Sequence, residues 1–317
     1  MATKKKDPAP AGNKKSFGTL FLHWLPFYLM GAPGLIYIFI NNYMPLAGLQ
    51  IAFKNFNFAK GMWKSPWIGF KNFEFLFKSK DAFIIIRNTI LYNVAWIIIG
   101  MVVGVGAAIL LNEVTNKIAK KFYQTAILLP YLMSMVVIAY LVYAYLSPST
   151  GLITKAIEHV TGNTIQFYQE PKFWPFILTF VNQWRGIGFG MILYLSSLLG
   201  IDPTFYEAAS LDGATKWQQI RLITIPLLKP TILMLLILNL GQIFRSDFGL
   251  FYQVPMMQAP LFPVTQTIDT YVYRALMQLN NVGMSAAASF VQSIVGFIFI
   301  VTANKIVTKL DENSALF

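Results

Sequence analysis

The chain has 317 residues, is 56% hydrophobic and only 12% charged, and has a mean hydropathy of +0.55. A water-soluble domain carries about 25% charged residues, so these proportions exclude a surface solvated on all sides and point to a membrane protein. The formal net charge of +12 sits on Lys and Arg that lie mostly between apolar runs, where they set topology and meet anionic lipid rather than nucleic acid.

The absence of cysteine excludes disulfides and thiolate chemistry. The two histidines, His23 and His159, flank separate apolar runs, which argues against a His metal cluster.

In chain order, residues 1–21 open with "MATKKKDPAPAGNKKSFGTL", a basic Pro/Ala-rich tail expected to lack fixed structure. Residues 22–317 form the membrane domain. A bilayer core takes about 20 apolar residues, and six runs qualify: Leu22 to Tyr43, Ala82 to Leu111, Thr125 to Leu146, Phe173 to Leu199, Lys229 to Tyr252 and Ala286 to Val307. No small-x-small cleavage pattern follows the first run, so it reads as a retained span. Glycines and prolines such as Gly100, Gly104, Pro130 and Pro230 are tolerable within membrane helices.

Six spans place both termini on one side. With the N-terminus inside, the inner segments carry thirteen Lys and Arg against nine outside. The five-Lys tail beside the first span weighs most, so both termini are expected in the cytoplasm. The segment 201–226, between spans four and five, then lies there too.

That segment, "IDPTFYEAASLDGATKWQQIRLITIP", is half polar. Asp202 and Pro203 suit a helix start, and residues 203–212 favour helix, with Phe205, Ala208, Ala209 and Leu211 apolar. Gly213 provides a bend, Trp217, Ile220 and Ile223 restart a helical period, and Pro226 ends that run. A surface helix resting on headgroups is one reading. Glu207 and Asp212 are poor company for an anionic membrane, which favours a protein partner.

The string Glu207-Ala208-Ala209, then Gly213, then Ile223-x-Ile225-Pro226 resembles the coupling loop of binding-protein-dependent ABC importer permeases, with Ile225 in place of leucine. Stretches such as "NQWRGIGFGMILYLSSLLGIDPTFYEAASLDGA" and "VTQTIDTYVYRALMQ" resemble the sugar-importer branch, more narrowly that for oligosaccharides and polysaccharide fragments typical of Gram-positive bacteria. The resemblance implies an all-α membrane protein of six transmembrane helices, the type I ABC importer permease, multi-pass in the cell membrane. It implies as partners a second homologous permease, two ATP-binding cassette subunits and an extracellular solute-binding lipoprotein. Its coupling contacts would fall on Glu207, Ala208, Ala209, Leu211, Asp212, Gly213, Ile223 and Pro226. The chain has no GxxxxGK[ST] phosphate loop, so it is expected to be no ATPase and to bind no cofactor, with ATP and magnesium held by the partner ATPase.

Passage of a sugar needs polar groups within the bilayer and aromatic faces. Span four offers Asn182, Gln183, Trp184 and Arg185; the outer end of span five offers Asn239, Gln242, Arg245, Ser246 and Asp247. Ionisable groups inside a membrane are functional candidates because lipid exposure is costly, although Arg245 and Asp247 also suit a gating ion pair or interfacial snorkelling. Asn88, Asn93 and Gln292 read as bridges between helices. The aromatic and Lys-rich outer loop from Phe53 reads as an interfacial belt, and "QAPLFPVTQTIDTYVYRALMQ" as containing an extracellular helix. The competing function is a secondary transporter or channel, but no inverted repeat and no run of midplane acids supports it. A membrane-embedded enzyme lacks a nucleophile–base set.

Overall fold

The computed structural model describes residues 17–310. The expected tail therefore lies outside the described residues, except that the first helix already begins at Phe17. The chain divides into two compact units that meet in sequence between Gln50 and Ile51.

The first unit is built on α1 (Phe17–Ile38), which carries Pro26 and Pro33 internally. It continues as a π turn over Phe39–Tyr43 and a 3₁₀ stretch over Met44–Phe53 that runs across the divide. The Asn41 and Asn42 side chains donate to the Tyr37 and Ile38 carbonyls at 2.9 and 3.3 Å, which keeps polar side chains satisfied on an otherwise apolar rod.

The second unit consists of α2 (Lys80–Glu113), α3 (Lys117–Leu132), α4 (Met135–Leu146), α5 (Leu152–Thr161), α6 (Trp174–Leu199), α7 (Thr204–Leu211), α8 (Lys216–Leu240), α9 (Phe248–Gln253), α10 (Ile268–Met277) and α11 (Val282–Leu310). Four helices of the described chain are long and apolar enough to cross a membrane singly. Two bent pairs, α3 with α4 and α6 with α7, raise the number to six if each is one span. At 34 residues, α2 reaches about 51 Å at 1.5 Å per residue, well beyond a hydrocarbon core of about 30 Å.

α6 is the central element. Trp174, Leu178 and Val181 on its first turns join Ile138 and Val142 of α4 and Leu250 and Phe251 of α9 in one buried cluster. Further along, Met191, Tyr194 and Leu198 pack with Ala108 and Leu111 of α2 and Leu228 of α8 in a second. The i, i+4, i+7 spacing of the first three α6 residues and the i, i+3, i+7 spacing of the second three are each that of one helix face. Gly188 sets the approach of α3: a Cβ there would stand 2.4 Å from the Ile127 carbonyl oxygen, so any side chain would push the two helices apart. A third cluster ties α10 to α2 and α11 through Ile85, Ile268, Tyr271 and Ala288.

Three sequence expectations are corrected here. The third span is not one helix, because the chain turns by 96° between α3 and α4. Ser134 makes the restart possible: its hydroxyl accepts from the Val137 N–H at 3.4 Å, capping α4. Nor does the fifth span continue to Tyr252. α8 stops at Leu240, and residues 241–247 leave the helix before α9 begins.

Irregular backbone at membrane depth survives only where protein satisfies it, and three elements do so here. Asn93 of α2 donates to the Ile243 and Arg245 carbonyls at 3.0 and 2.8 Å, and Gln292 of α11 donates to the Phe244 carbonyl at 2.9 Å. Asp269 of α10 accepts from the Ser246 N–H at 2.6 Å, the Ser246 hydroxyl at 2.8 Å and Gln292 at 3.1 Å. Asn88 likewise donates to the Pro263 and Gln266 carbonyls, so all three amides act as bridges.

The third correction concerns Pro226, which does not end a helix. The chain passes through a π turn over Ile220–Thr224 into Ile225–Leu240. The wider turn carries the Ile225 N–H back to the Ile220 carbonyl, and Pro226 falls in the first α-helical turn beyond it, where a missing N–H is tolerated.

Candidate functional site

The hairpin between α6 and α8 is the first candidate. The Asp202 carboxylate accepts from the Thr204 N–H at 2.9 Å, and this hydrogen bond holds its carboxyl below the ordinary carboxylate range. The helix proper opens one residue later than the sequence suggests, with Pro203 at its cap. At its other end Gly213 has φ +78°, and the Ala214 N–H returns to the Ala209 carbonyl at 2.9 Å. That six-to-one bond across a left-handed glycine is the Schellman closure of a helix. A Cβ on Gly213 would meet nothing within 4 Å, so backbone conformation, not space, requires glycine.

α8 then starts on a capping box, in which the Thr215 hydroxyl accepts from the Gln218 N–H and Gln218 accepts from the Thr215 N–H. None of the residues of α7 is buried. Leu211 is 90% exposed, and Phe205, Trp217 and Leu222 are also exposed beside Glu207 and Asp212. Large apolar side chains clustered on a polar hairpin mark an interaction surface.

The second candidate is an open cavity of about 480 Å³ lined by α2, α6, the end of α8 and Gln242 just beyond it. Five carboxamides line it: Asn93, Asn182, Gln183, Asn239 and Gln242, with Trp96, Phe189 and Tyr194 supplying aromatic faces. Gln183 is held by donating to the Trp96 carbonyl at 3.2 Å. Among the described residues, the side chains of Asn182, Asn239 and Gln242 engage no protein partner, which leaves their amides available to a polar solute. Tyr194 packs edge-on to Gly104.

Behind this wall Arg185 of α6 bonds Asp247 at 2.8 Å, with the two side chains 28% and 34% exposed. Asp247 also caps α9 by accepting from the Leu250 N–H at 3.1 Å. The Arg185 guanidinium lies 6.0 Å from the ring of Tyr131 on α3, which stacks on Phe189. One ion pair thus stands where both broken segments, α3–α4 and α8–α9, converge on α6.

The expected pathway residues separate accordingly. Asn182, Gln183 and Gln242 share the cavity, while Trp184 turns to another face and lines an apolar groove with Tyr145, Phe176 and Phe180. At 100° per residue Trp184 stands about 200° round α6 from Asn182, on the far side of the helix. Asp247 pairs with Arg185 and not with Arg245, whose side chain is exposed and whose carbonyl is held by Asn93. Sequence reasoning missed Trp96 and Tyr194. The signal was present: Asn93, Trp96, Ile97, Gly100 and Met101 follow helical spacing toward one side of α2. Among the described residues no group of three or more acidic or His side chains could hold a metal ion.

A chain whose described residues are mainly helical, with a capped exposed hairpin connected by one long apolar helix to an uncharged cavity bearing five carboxamides, is built as the membrane component of a transporter. The family model described as "Binding-protein-dependent transport system inner membrane component" matches residues 97–310, and the chain belongs to that family. It is a multi-pass membrane protein with the type I ABC permease fold.

Protein LplB of Bacillus subtilis (strain 168) is 34% identical over 290 residues, covering 91% of this chain and 90% of its relative. The polygalacturonan/rhamnogalacturonan transport system permease protein YteP of the same strain is 35% identical over 285 residues, covering 90% and 88%. Among solved structures, a chain of a bacterial ABC transporter involved in the import of the acidic polysaccharide alginate matches with a TM-score of 0.86 at 31% identity. That match covers 94% of this chain and 100% of the other. A chain of the bacterial alginate ABC transporter in complex with alginate pentasaccharide-bound periplasmic protein matches with a TM-score of 0.85 at 30% identity, covering 93% and 98%.

Proposed function

We propose that this chain is the permease subunit of an ATP-driven oligosaccharide importer in the cell membrane. It works with a second homologous permease, two ATP-binding cassette subunits and an extracellular solute-binding lipoprotein. Both termini and the hairpin 201–226 face the cytoplasm, where Glu207, Ala208, Ala209, Leu211 and Asp212 contact the ATPase. The chain itself hydrolyses nothing; ATP and magnesium belong to the ATPase subunits.

The observation that carries this reading is the course of α8. One helix of 25 residues, about 37 Å long at 1.5 Å per residue, begins inside the exposed hairpin at Lys216 and ends beside the cavity at Asn239 and Leu240. Movement imposed on the hairpin therefore reaches the polar wall without crossing a flexible joint. Energy enters as differential affinity: nucleotide binding favours one arrangement of the permease pair over the other.

Carboxamides suit sugar hydroxyls because each presents both donors and an acceptor, and Trp96, Phe189 and Tyr194 suit the apolar faces of sugar rings. The named substrates of YteP and of the alginate importers support carbohydrate chains as the solute class. The test is import by the purified complex in proteoliposomes. Oligosaccharide uptake that requires ATP and the ATPase subunits supports the reading; uptake by this chain without them would sink it.

A further inference from the structure

The exposed helix α7 poses a mechanical problem. It has eight residues and none is buried, whereas isolated helices shorter than about 12–15 residues are marginal in water. A helix that receives a push must not slide or unwind under it. Its end caps fix where it starts and stops but do not fasten it to α8.

Two side-chain bridges supply that fastening. The Gln219 amide, with the residue only 4% exposed, donates to the Ser210 hydroxyl at 2.8 Å. Ser210 in turn donates to the Tyr206 carbonyl at 2.7 Å. The Tyr206 and Thr224 hydroxyls are hydrogen-bonded at 3.0 Å, and Thr224 is also only 4% exposed. Gln219 immediately precedes the π turn over Ile220–Thr224, and Thr224 is its last residue.

At 100° per residue, positions five apart on an α-helix diverge by about 140°. The wider i→i+5 turn brings Gln219 and Thr224 back toward one face. The Thr224 hydroxyl reaches the Gln219 carbonyl at 3.4 Å, which records this proximity. The π turn thus does more than accommodate Pro226, because it aligns two anchors that a regular helix would point apart.

We infer that Tyr206, Ser210, Gln219 and Thr224 form a polar clasp that fuses α7 to the base of α8 and makes the hairpin one rigid lever. The inference rests on the reading that the hairpin docks on an ATPase. These four are positioning residues: they touch neither sugar nor nucleotide, and they set how much of the ATPase movement reaches the cavity.

The test uses the complete reconstituted complex and measures oligosaccharide molecules imported per ATP hydrolysed. Thr224→Val and Gln219→Leu each lower that ratio about fivefold, the scale of one net hydrogen bond. Thr224→Ser, which keeps the hydroxyl, restores it. Tyr206→Phe combined with Thr224→Val is no worse than Thr224→Val alone, because both remove the shared Tyr206–Thr224 bond. An unchanged ratio in both Thr224→Val and Gln219→Leu overturns the clasp, as does a Thr224→Ser variant as impaired as Thr224→Val.

A cross-link separates this result from failure of the docking itself. The chain has no cysteine, so Leu211→Cys gives a single thiol at a position 90% exposed. Cross-linking to the ATPase with an unchanged ratio discards the clasp and keeps the docking. No cross-link discards the docking, and the clasp with it.

Discussion

The hairpin and the cavity use polar side chains in opposite ways. In the hairpin, polar atoms are turned inward on the chain itself: Asp202 on Thr204, Thr215 on Gln218, Gln219 on Ser210, Tyr206 on Thr224. What remains outside is Leu211, Phe205 and Trp217, interspersed with the charged Glu207 and Asp212. In the cavity, apolar side chains such as Ile97, Phe189 and Leu235 share the lining with carboxamides, and among the described residues the side chains of Asn182, Asn239 and Gln242 have no protein partner. A surface for a protein partner buries apolar area and needs rigidity; a surface for a sugar needs spare donors and acceptors. Both are joined by α8, so one helix has a self-satisfied end and an unsatisfied end.

Substitutions that exchange the two treatments test the contrast. The largest effect is expected at the ion pair behind the cavity. Asp247→Leu leaves the Arg185 charge without its partner and removes the cap of α9. A fully buried broken pair costs 3–5 kcal/mol; at the exposure of this pair the loss is about 2 kcal/mol, read as a lower thermal midpoint in detergent. Adding Arg185→Met recovers the part due to the uncompensated charge and leaves the part due to the lost cap of α9, about 1 kcal/mol.

Gly213→Val comes next. It forces a β-branched residue to φ +78°, at a strain of about 1–3 kcal/mol. Sugar-stimulated ATP hydrolysis falls about tenfold, while sugar binding at the cavity is retained. Gln242→Leu and Asn182→Leu act on the opposite end. Each raises the KM for import about fivefold, the scale of one hydrogen bond, and leaves cross-linking at position 211 intact.

The smallest effect is a pH dependence at Asp202. Its folded pKa is depressed by the Thr204 hydrogen bond, so its contribution to hairpin stability is complete above the ordinary carboxylate value. It is lost as pH falls through the lowered one. Asp202→Ala removes that acid-side component, measurable as a flatter hydrogen-exchange profile of α7 between mildly and strongly acidic pH.

The difference also explains what could be read from sequence. The hairpin was legible because its determinants are local: Asp202-Pro203 and Gly213 each act on a neighbour within a few residues, although the Thr215 capping box went unread. The cavity was legible only in part, because Asn93 and Trp96, Asn182 and Gln183, and Asn239 and Gln242 come from three separated helices. Residues 182–185 form one run in the sequence, yet helical rotation sends Trp184 to another face. The break at Met133–Ser134 was hidden within an apolar run, and the polar residues of 241–247 were read as pathway groups within a continuing span rather than as its end. Their causes are Ser134 as a cap and bonds from Asn93, Asp269 and Gln292 on distant elements. Pro226 misled in the other direction, since the π turn before it lets the helix continue.

The central claim is that α7 and α8 move as one body from the hairpin to the cavity. Spin labels on Leu211→Cys and Leu238→Cys, in a chain with no other cysteine, measure the distance between them in the reconstituted complex without nucleotide and with ATP. A constant distance, while a label pair across the two permeases changes, is the predicted result. A distance that shifts between nucleotide states would show that the chain bends between hairpin and cavity, and would contradict the account.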